Sequence, residues 1–195
     1  VALVSKEVDS VVGPCLAARA GERGLVVTPV DGDQPSLLVG LVTWAETLGL
    51  EIVAAGKSSE YDFVFDERCG VLLSNGREAT LPDLGAVARL GDRGCAEIAA
   101  RRAAIAAAFP QRAAADLCEL TVAGNAVDLD PDVAALHAPI ARIGEVADFF
   151  SPASEGGLLS GPRRLDVFHC LRRPDEVSFA GGVFVVVRCD DAASW

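Results

Sequence analysis

The chain has 195 residues, with 28 acidic against 17 basic side chains, a net charge of −11 and 51% hydrophobic residues. That composition excludes a disordered or low-complexity chain, and a surface this acidic repels phosphate backbones and anionic lipid, which argues against nucleic-acid and membrane partners. The length suits one domain, 1–195, able to bury a sizeable core.

The predicted elements alternate. Val1 to Ser5 reads as a strand. Asp9 to Arg19 reads as a helix, with Pro14 in its first turn. Leu25 to Val30 is a second strand, and Asp31 to Pro35 is a turn in which Asp33 can cap the next helix. That helix runs from about Ser36 to Leu48, with Leu37, Leu41, Trp44 and Leu48 on one face and Gly49 as its stop. Leu50 to Ala55 is a third strand, breaking into Gly56-Lys57-Ser58-Ser59. The order β-α-β-α-β predicts an α/β (α+β) fold with a mixed, partly parallel sheet covered by helices.

Further on, Val71 to Ser74 and Arg77 to Thr80 flank the hairpin dipeptide Asn75-Gly76. Leu81 to Cys118 reads as two or three helices, broken at Gly91 to Gly94 and near Pro110, and Ala113 to Ala123 as a buried helix. Val127 to Ile143 reads as loop. Leu165 to Cys170 and Val183 to Cys189 are strands.

No apolar run approaches the ~20 residues of a transmembrane helix, and no secretory signal opens the chain. The cysteines at 15, 69, 95, 118, 170 and 189 lack zinc-type spacing. They predict reduced thiols in a cytoplasmic protein, with Cys118, Cys170 and Cys189 as small buried hydrophobes. A strand-first start and the lack of Met predict a segment of a longer product.

Gly-x-Gly occurs nowhere, so the dinucleotide fingerprint is missing. Gly56-Lys57-Ser58 is no phosphate loop either, because Glu51 stands where that loop needs glycine. Of the 17 basic residues only Lys6 and Lys57 are lysines. Both are predicted at carboxyl ends of strands, the edge where open α/β sheets bind ligands. Lys6 reads as solvated. Lys57, among small residues, reads equally as a loop cation and as a group that polarises or protonates a substrate oxygen. Asp31 and Asp33 suit a divalent metal, acid–base work or a helix cap. Glu155 lies on a Gly-rich turn, either solvated or able to approach Asp33 and Lys57 in one polar cleft. His137 suits a phosphate or carbonyl, whereas His169, inside a strand, reads as structural. Arg163, Arg164, Arg172 and Arg173 can grip an anion or pair with Asp166, Asp175 and Glu176.

Val4-Ser5-Lys6-Glu7-Val8-Asp9, Gly32-Asp33-Gln34-Pro35-Ser36, Ala55-Gly56-Lys57, Gly124-Asn125-Ala126, His137-Ala138-Pro139 and Glu155-Gly156-Gly157 occur in this order. With Leu171 to Glu176 and Phe179 to Phe184, they resemble the catalytic middle domain of the homoserine-dehydrogenase-like family that includes the 1-deoxy-D-xylulose 5-phosphate reductoisomerase-like (DRL) enzymes. The resemblance implies a dehydrogenase C-terminal-like catalytic domain without its Rossmann partner. An upstream domain would bind NADP or NAD, and some members carry a downstream SAF-type domain. It further implies a homo-oligomer and a small anionic substrate, a sugar phosphate in the reductoisomerase branch, with Mg or Mn. Carried over, Lys57, Asp33 and Glu155 become the catalytic residues, Asp33 and Glu155 the metal ligands, and Asn125, His137, Arg172 and Arg173 the substrate contacts. The reductoisomerase branch resembles Gly-Asp-Glu-Pro where this chain has Gln34, and has Asn where this chain has Ser5. The alternative is a non-catalytic assembly or ligand-sensing module on the same fold.

Overall fold

A computed structural model describes residues 4–28, 33–113 and 116–189. The frame is a mixed sheet in the order β4-β3-β2-β7-β1-β8. Its strands are β1 (Glu51–Ser58), β2 (Phe63–Asp66), β3 (Val71–Ser74), β4 (Arg77–Thr80), β7 (Arg164–Arg172) and β8 (Val183–Arg188). Two short strands, β5 (Asp130–Pro131) and β6 (Ile140–Ala141), pair with β7. The helices are α1 (Lys6–Gly21), α2 (Gln34–Thr47), α3 (Cys95–Ile105), α4 (Leu117–Val127) and α5 (Val146–Phe149). Among the described residues, no helix is long and apolar enough to cross a membrane.

β7 runs parallel to both β1 and β2, while β8 is antiparallel to β1 and β2-β3-β4 form an antiparallel meander. The expected mixed, partly parallel sheet is therefore present. Its pairing differs from the expected β-α-β succession: the parallel neighbour of β1 is β7, which the chain reaches more than a hundred residues later. Val4 and Ser5 are not strand, and Leu25 to Thr28 are exposed and unpaired. The rest of those two predicted strands lies outside the described residues. Lys6 thus begins a helix rather than following a strand, and Pro14 lies inside that helix rather than in its first turn.

The Asn75-Gly76 turn is present, with both residues at positive φ, as a two-residue hairpin requires. The Ala- and Arg-rich stretch forms a 3₁₀ segment (Pro82–Val87) and α3, and the following helix starts at Leu117. Periodicity identified α2 but chose its outer face. Leu38, Val42 and Ala45 are buried, whereas Leu37, Trp44 and Leu48 are more than half exposed. Both stripes of this helix are apolar, so spacing alone cannot say which faces the sheet.

α2 and α4 pack over one sheet face, where Leu38, Val42, Ile52, Leu120, Leu165 and Val167 join one core cluster. Phe63, Phe65, Ile98, Phe149, Phe168 and Cys170 belong to the other. Each fully buried Leu or Phe contributes about 1.5–3 kcal/mol, so these two layers outweigh any single polar contact. Cys170 is buried as expected, and burial pushes its thiol up to about 12. Cys118 and Cys189 are only partly buried.

Gly56 sits where β1 meets β7. A Cβ there would lie 1.8 Å from the Asp166 carbonyl oxygen, so only glycine allows this pairing. Gly56→Ala is expected to lower stability by about 1–3 kcal/mol or more through forced strand separation. Urea denaturation checks this, and an unchanged midpoint refutes it.

Candidate functional site

β1 delivers Lys57 to the carboxyl edge of the parallel strands, on the face covered by α2 and α4. Lys57 is 1% exposed. Its Nζ donates to Asp116 Oδ1 at 2.6 Å and to Glu119 Oε2. The other oxygen of Glu119 accepts from Lys6 Nζ, which lies 3.8 Å from Asp33 Oδ2. Both lysines of the chain thus meet around Glu119. Asp33 caps α2 by accepting from the Gln34 backbone N–H at 2.8 Å. Lys6 and Gln34 are the first residues of α1 and α2, and Asp116 immediately precedes α4. Three helix N-termini therefore surround the cluster, and their positive ends suit its carboxylates.

Burial works to strip the proton from Lys57, but the hydrogen bonds to Asp116 and Glu119 outweigh it and leave its pKa above the usual 10.5. Lys57 is a fixed ammonium, not a loop cation. The Glu119 hydrogen bond likewise raises the pKa of Lys6. Gln34, Pro35, Leu38 and Leu120 close over the Lys57–Glu119 pair. Gln34 Oε1 is buried there without a hydrogen-bond partner.

Asp116 also lines an open pocket of about 140 Å³. Ser59, Tyr61, Phe63, Pro110, Arg112 and His169 form most of the rest of its wall. His169 is buried, with Nδ1 2.8 Å from Ser59 Oγ and its ring against Phe63 at 5.3 Å. Burial lowers its pKa below the usual 6.5, against the raising effects of a hydrogen bond to the Gln111 backbone and of the Asp116 charge. Its Nε2 makes no hydrogen bond.

The other expected site residues lie elsewhere. Glu155 pairs with Arg188, which also holds Glu51 at the start of β1. Lys57 lies six steps along the strand from Glu51, about 20 Å, so Glu155 does not share a cleft with Lys57 and Asp33. As a metal pair, Asp33 and Glu155 do not fit. One caps a helix, the other is held at the far end of the sheet, and no group of three His, Cys, Asp or Glu able to hold an ion occurs among the described residues. Between Asp116 and Glu119 the ammonium of Lys57 already stands where a cation would.

Asn125 is exposed on α4 and donates to the Ser10 carbonyl oxygen at 3.4 Å, tying α4 to α1. Arg172 is held by Asp62 at 2.6 Å and by the Arg173 and Glu176 carbonyls, and Arg173 by Asp175. Arg163 pairs with Glu46, and Arg164 lies 3.3 Å from Asp132. All four arginines take the ion-paired alternative, although their partners are mostly not the expected ones.

His137 is held on the opposite sheet face by Asp166, whose side chain shares that face with Phe168 and Cys170 by strand alternation. Its Nδ1 is 2.7 Å from Asp166 Oδ2 and its Nε2 is 3.5 Å from Asp132 Oδ2. The hydrogen bond to Asp166 raises its pKa above 6.5 despite burial. A raised pKa contributes stability that is complete below about 6.5 and disappears as pH rises through the folded value. Melting temperature is therefore expected to fall as pH rises from 6.5, with the slope abolished in His137→Gln. Equal slopes in the two proteins refute this.

Sequence reasoning missed Asp116, Glu119 and Arg112, and read Lys6 and His169 as incidental. The scarcity of lysine was the one available signal. A family model for the oxidoreductase DRL catalytic domain matches residues 32–194. The chain therefore belongs to this family of oxidoreductase catalytic domains. No curated protein matches the sequence.

Proposed function

We propose that the chain is the substrate-binding catalytic part of an NAD(P)-dependent oxidoreductase. The observation that carries this is the buried Lys57–Asp116–Glu119 cluster beside an open pocket at the carboxyl edge of the parallel strands. A nicotinamide group, held by a separate domain, would supply or accept the hydride. Asp116 is common to the pocket and to the Lys57 ammonium. Lys57 fixes that carboxylate and projects positive charge toward oxygen developing negative charge in the pocket. A preorganised charge in a site that excludes water is worth far more than in bulk. With its pKa raised, Lys57 acts as an electrostatic and hydrogen-bonding group rather than as a proton donor.

The substrate is a small anion, a sugar phosphate in the homoserine-dehydrogenase-like and reductoisomerase reading. The protein works in the cytoplasm as a homo-oligomer, and the exposed stripe Leu37, Trp44 and Leu48 supports such an assembly. No step here is assigned to a metal ion, since Asp33 and Glu155 do not converge. The test is turnover of NADPH and a sugar phosphate by the full gene product. Absence of nicotinamide oxidation across hydroxy- and oxo-anions overturns the reading.

A further inference from the structure

An alcohol gives up a proton as well as a hydride when it is oxidised, and Lys57, already a fixed ammonium, cannot take that proton. The wall of the pocket beside Asp116 carries a group that can. His169, on β7, is 4% exposed, and its Nε2 is buried without a hydrogen-bond partner. A buried polar atom left unbonded costs free energy, so an occupant that bonds it is favoured.

Ser59 fixes the tautomer. Its Oγ donates to the Tyr61 carbonyl oxygen at 3.4 Å and so accepts from His169 Nδ1–H at 2.8 Å. With the hydrogen on Nδ1, Nε2 carries a lone pair and is an acceptor. Burial favours the neutral ring that keeps this lone pair, against the Gln111 backbone and the Asp116 charge. The charged groups on the wall are Glu60, Arg112 and Asp116. Lys57 Nζ offsets Asp116 at 2.6 Å, while Glu60 and Arg112 are both exposed and opposite in sign. The pocket therefore offers acceptors without a net charge, which suits a hydroxyl better than an ammonium.

We propose that this pocket binds a ligand hydroxyl, which donates to His169 Nε2, and that His169 is the base that takes its proton. The proton transfer rests on the oxidoreductase reading; the binding itself does not. In that step the O–H bond breaks and its proton forms an N–H bond at Nε2, giving imidazolium. The O–H electron pair closes the carbonyl, and the hydride leaves the same carbon for an oxidised nicotinamide. Nδ1–H stays bonded to Ser59, and the imidazolium returns its proton to water through the open pocket. Tyr61, Phe63 and Pro110 supply apolar wall for the carbon skeleton.

Nitrogen-15 spectra of the 195-residue chain read the tautomer directly. His169 is expected to carry its hydrogen on Nδ1, and a hydrogen on Nε2 overturns the proposal. Glycerol and ethylammonium are then titrated separately. The ring of Tyr61, the chain's single tyrosine, reports occupancy in every variant. Glycerol is expected to shift Tyr61 and His169 Nε2 saturably, and that response supports the site. A response to ethylammonium alone assigns a cation site, and that result or silence from both probes overturns the proposal. His169→Phe, folded by circular dichroism, is expected to weaken glycerol binding by about tenfold or more; unchanged binding overturns the proposal too. In the full gene product His169→Gln keeps an acceptor but no base. It is expected to lower kcat for alcohol oxidation by about 10²-fold or more with KM little changed. It also removes the fall in rate toward low pH that protonation of His169 causes in the wild type. Equal kcat and equal pH profiles refute the base role while the enzyme reading stands. Glycerol binding by a full gene product without nicotinamide-linked turnover refutes the enzyme reading and leaves the hydroxyl site standing.

Discussion

Arg102→Met is expected to lower the unfolding free energy by about 3–5 kcal/mol, the usual cost of removing one partner of a buried ion pair. Arg102 is fully buried on α3. Its guanidinium makes two bonds to Glu145, at 2.6 and 2.9 Å, and donates to the Val87 and Ile140 carbonyls at 2.7 and 2.9 Å. Glu145 also accepts from the Leu90 and Arg142 backbone N–H groups. The pair therefore ties the 3₁₀ segment, α3, β6 and the start of α5 into one unit under the sheet. Burial opposes ionisation of Glu145, but Arg102 and the backbone donors outweigh it and hold its pKa below 4.5. That contribution is present above pH 4.5 and disappears as pH falls through the lower folded value. Guanidinium denaturation of the wild type, Arg102→Met and Arg102→Met/Glu145→Leu provides the test. The double variant is expected to recover only part of the loss, because Leu90, Arg142, Val87 and Ile140 are left without partners. A loss below about 1 kcal/mol, the range of a surface pair, contradicts the assignment.

What the sequence revealed, and what it hid, divides by range. Local chemistry was readable. Asn75-Gly76 specifies its hairpin, and Asp33 before Gln34-Pro35 specifies a helix start. Lys57 at a strand edge was visible as an unusual residue. Its partners were not, because Asp116 and Glu119 lie 59 and 62 residues away, at the start of a helix whose apolar periodicity gives no hint of a buried carboxylate. Glu145, 43 residues from Arg102, lies just beyond a stretch that reads as loop. Likewise nothing local announces that β7 slots between β1 and β2, yet this insertion places His169 on the wall of the pocket and Asp166 beneath His137. The motif order indicated the family, but carrying its motifs over residue by residue put Glu155 in a cleft that it does not reach. Sequence order says which segments exist, and only the sheet order says which of them meet.

Lys57→Ala in the full gene product is expected to reduce turnover by about 10²-fold or more, the scale on which preorganised electrostatic groups contribute. The same substitution leaves Asp116 and Glu119 buried side by side without their shared ammonium. A fall in stability of about 3–5 kcal/mol is therefore expected too, and activity alone cannot separate the two effects. Lys57→Met/Glu119→Gln removes one positive and one negative charge together and restores the flexible apolar stem. It is expected to regain much of the lost stability while turnover stays low, because Asp116 still lacks its ammonium. Lys57→Arg keeps the charge, but its larger planar head must fit where Gln34, Pro35 and Leu120 already close over the lysine. It is expected not to restore turnover. If turnover returns in step with melting temperature across these variants, Lys57 is only a structural ion-pair partner and the electrostatic role fails. If the double variant is stable and still slow, the ammonium acts on the reacting oxygen's charge rather than on the fold.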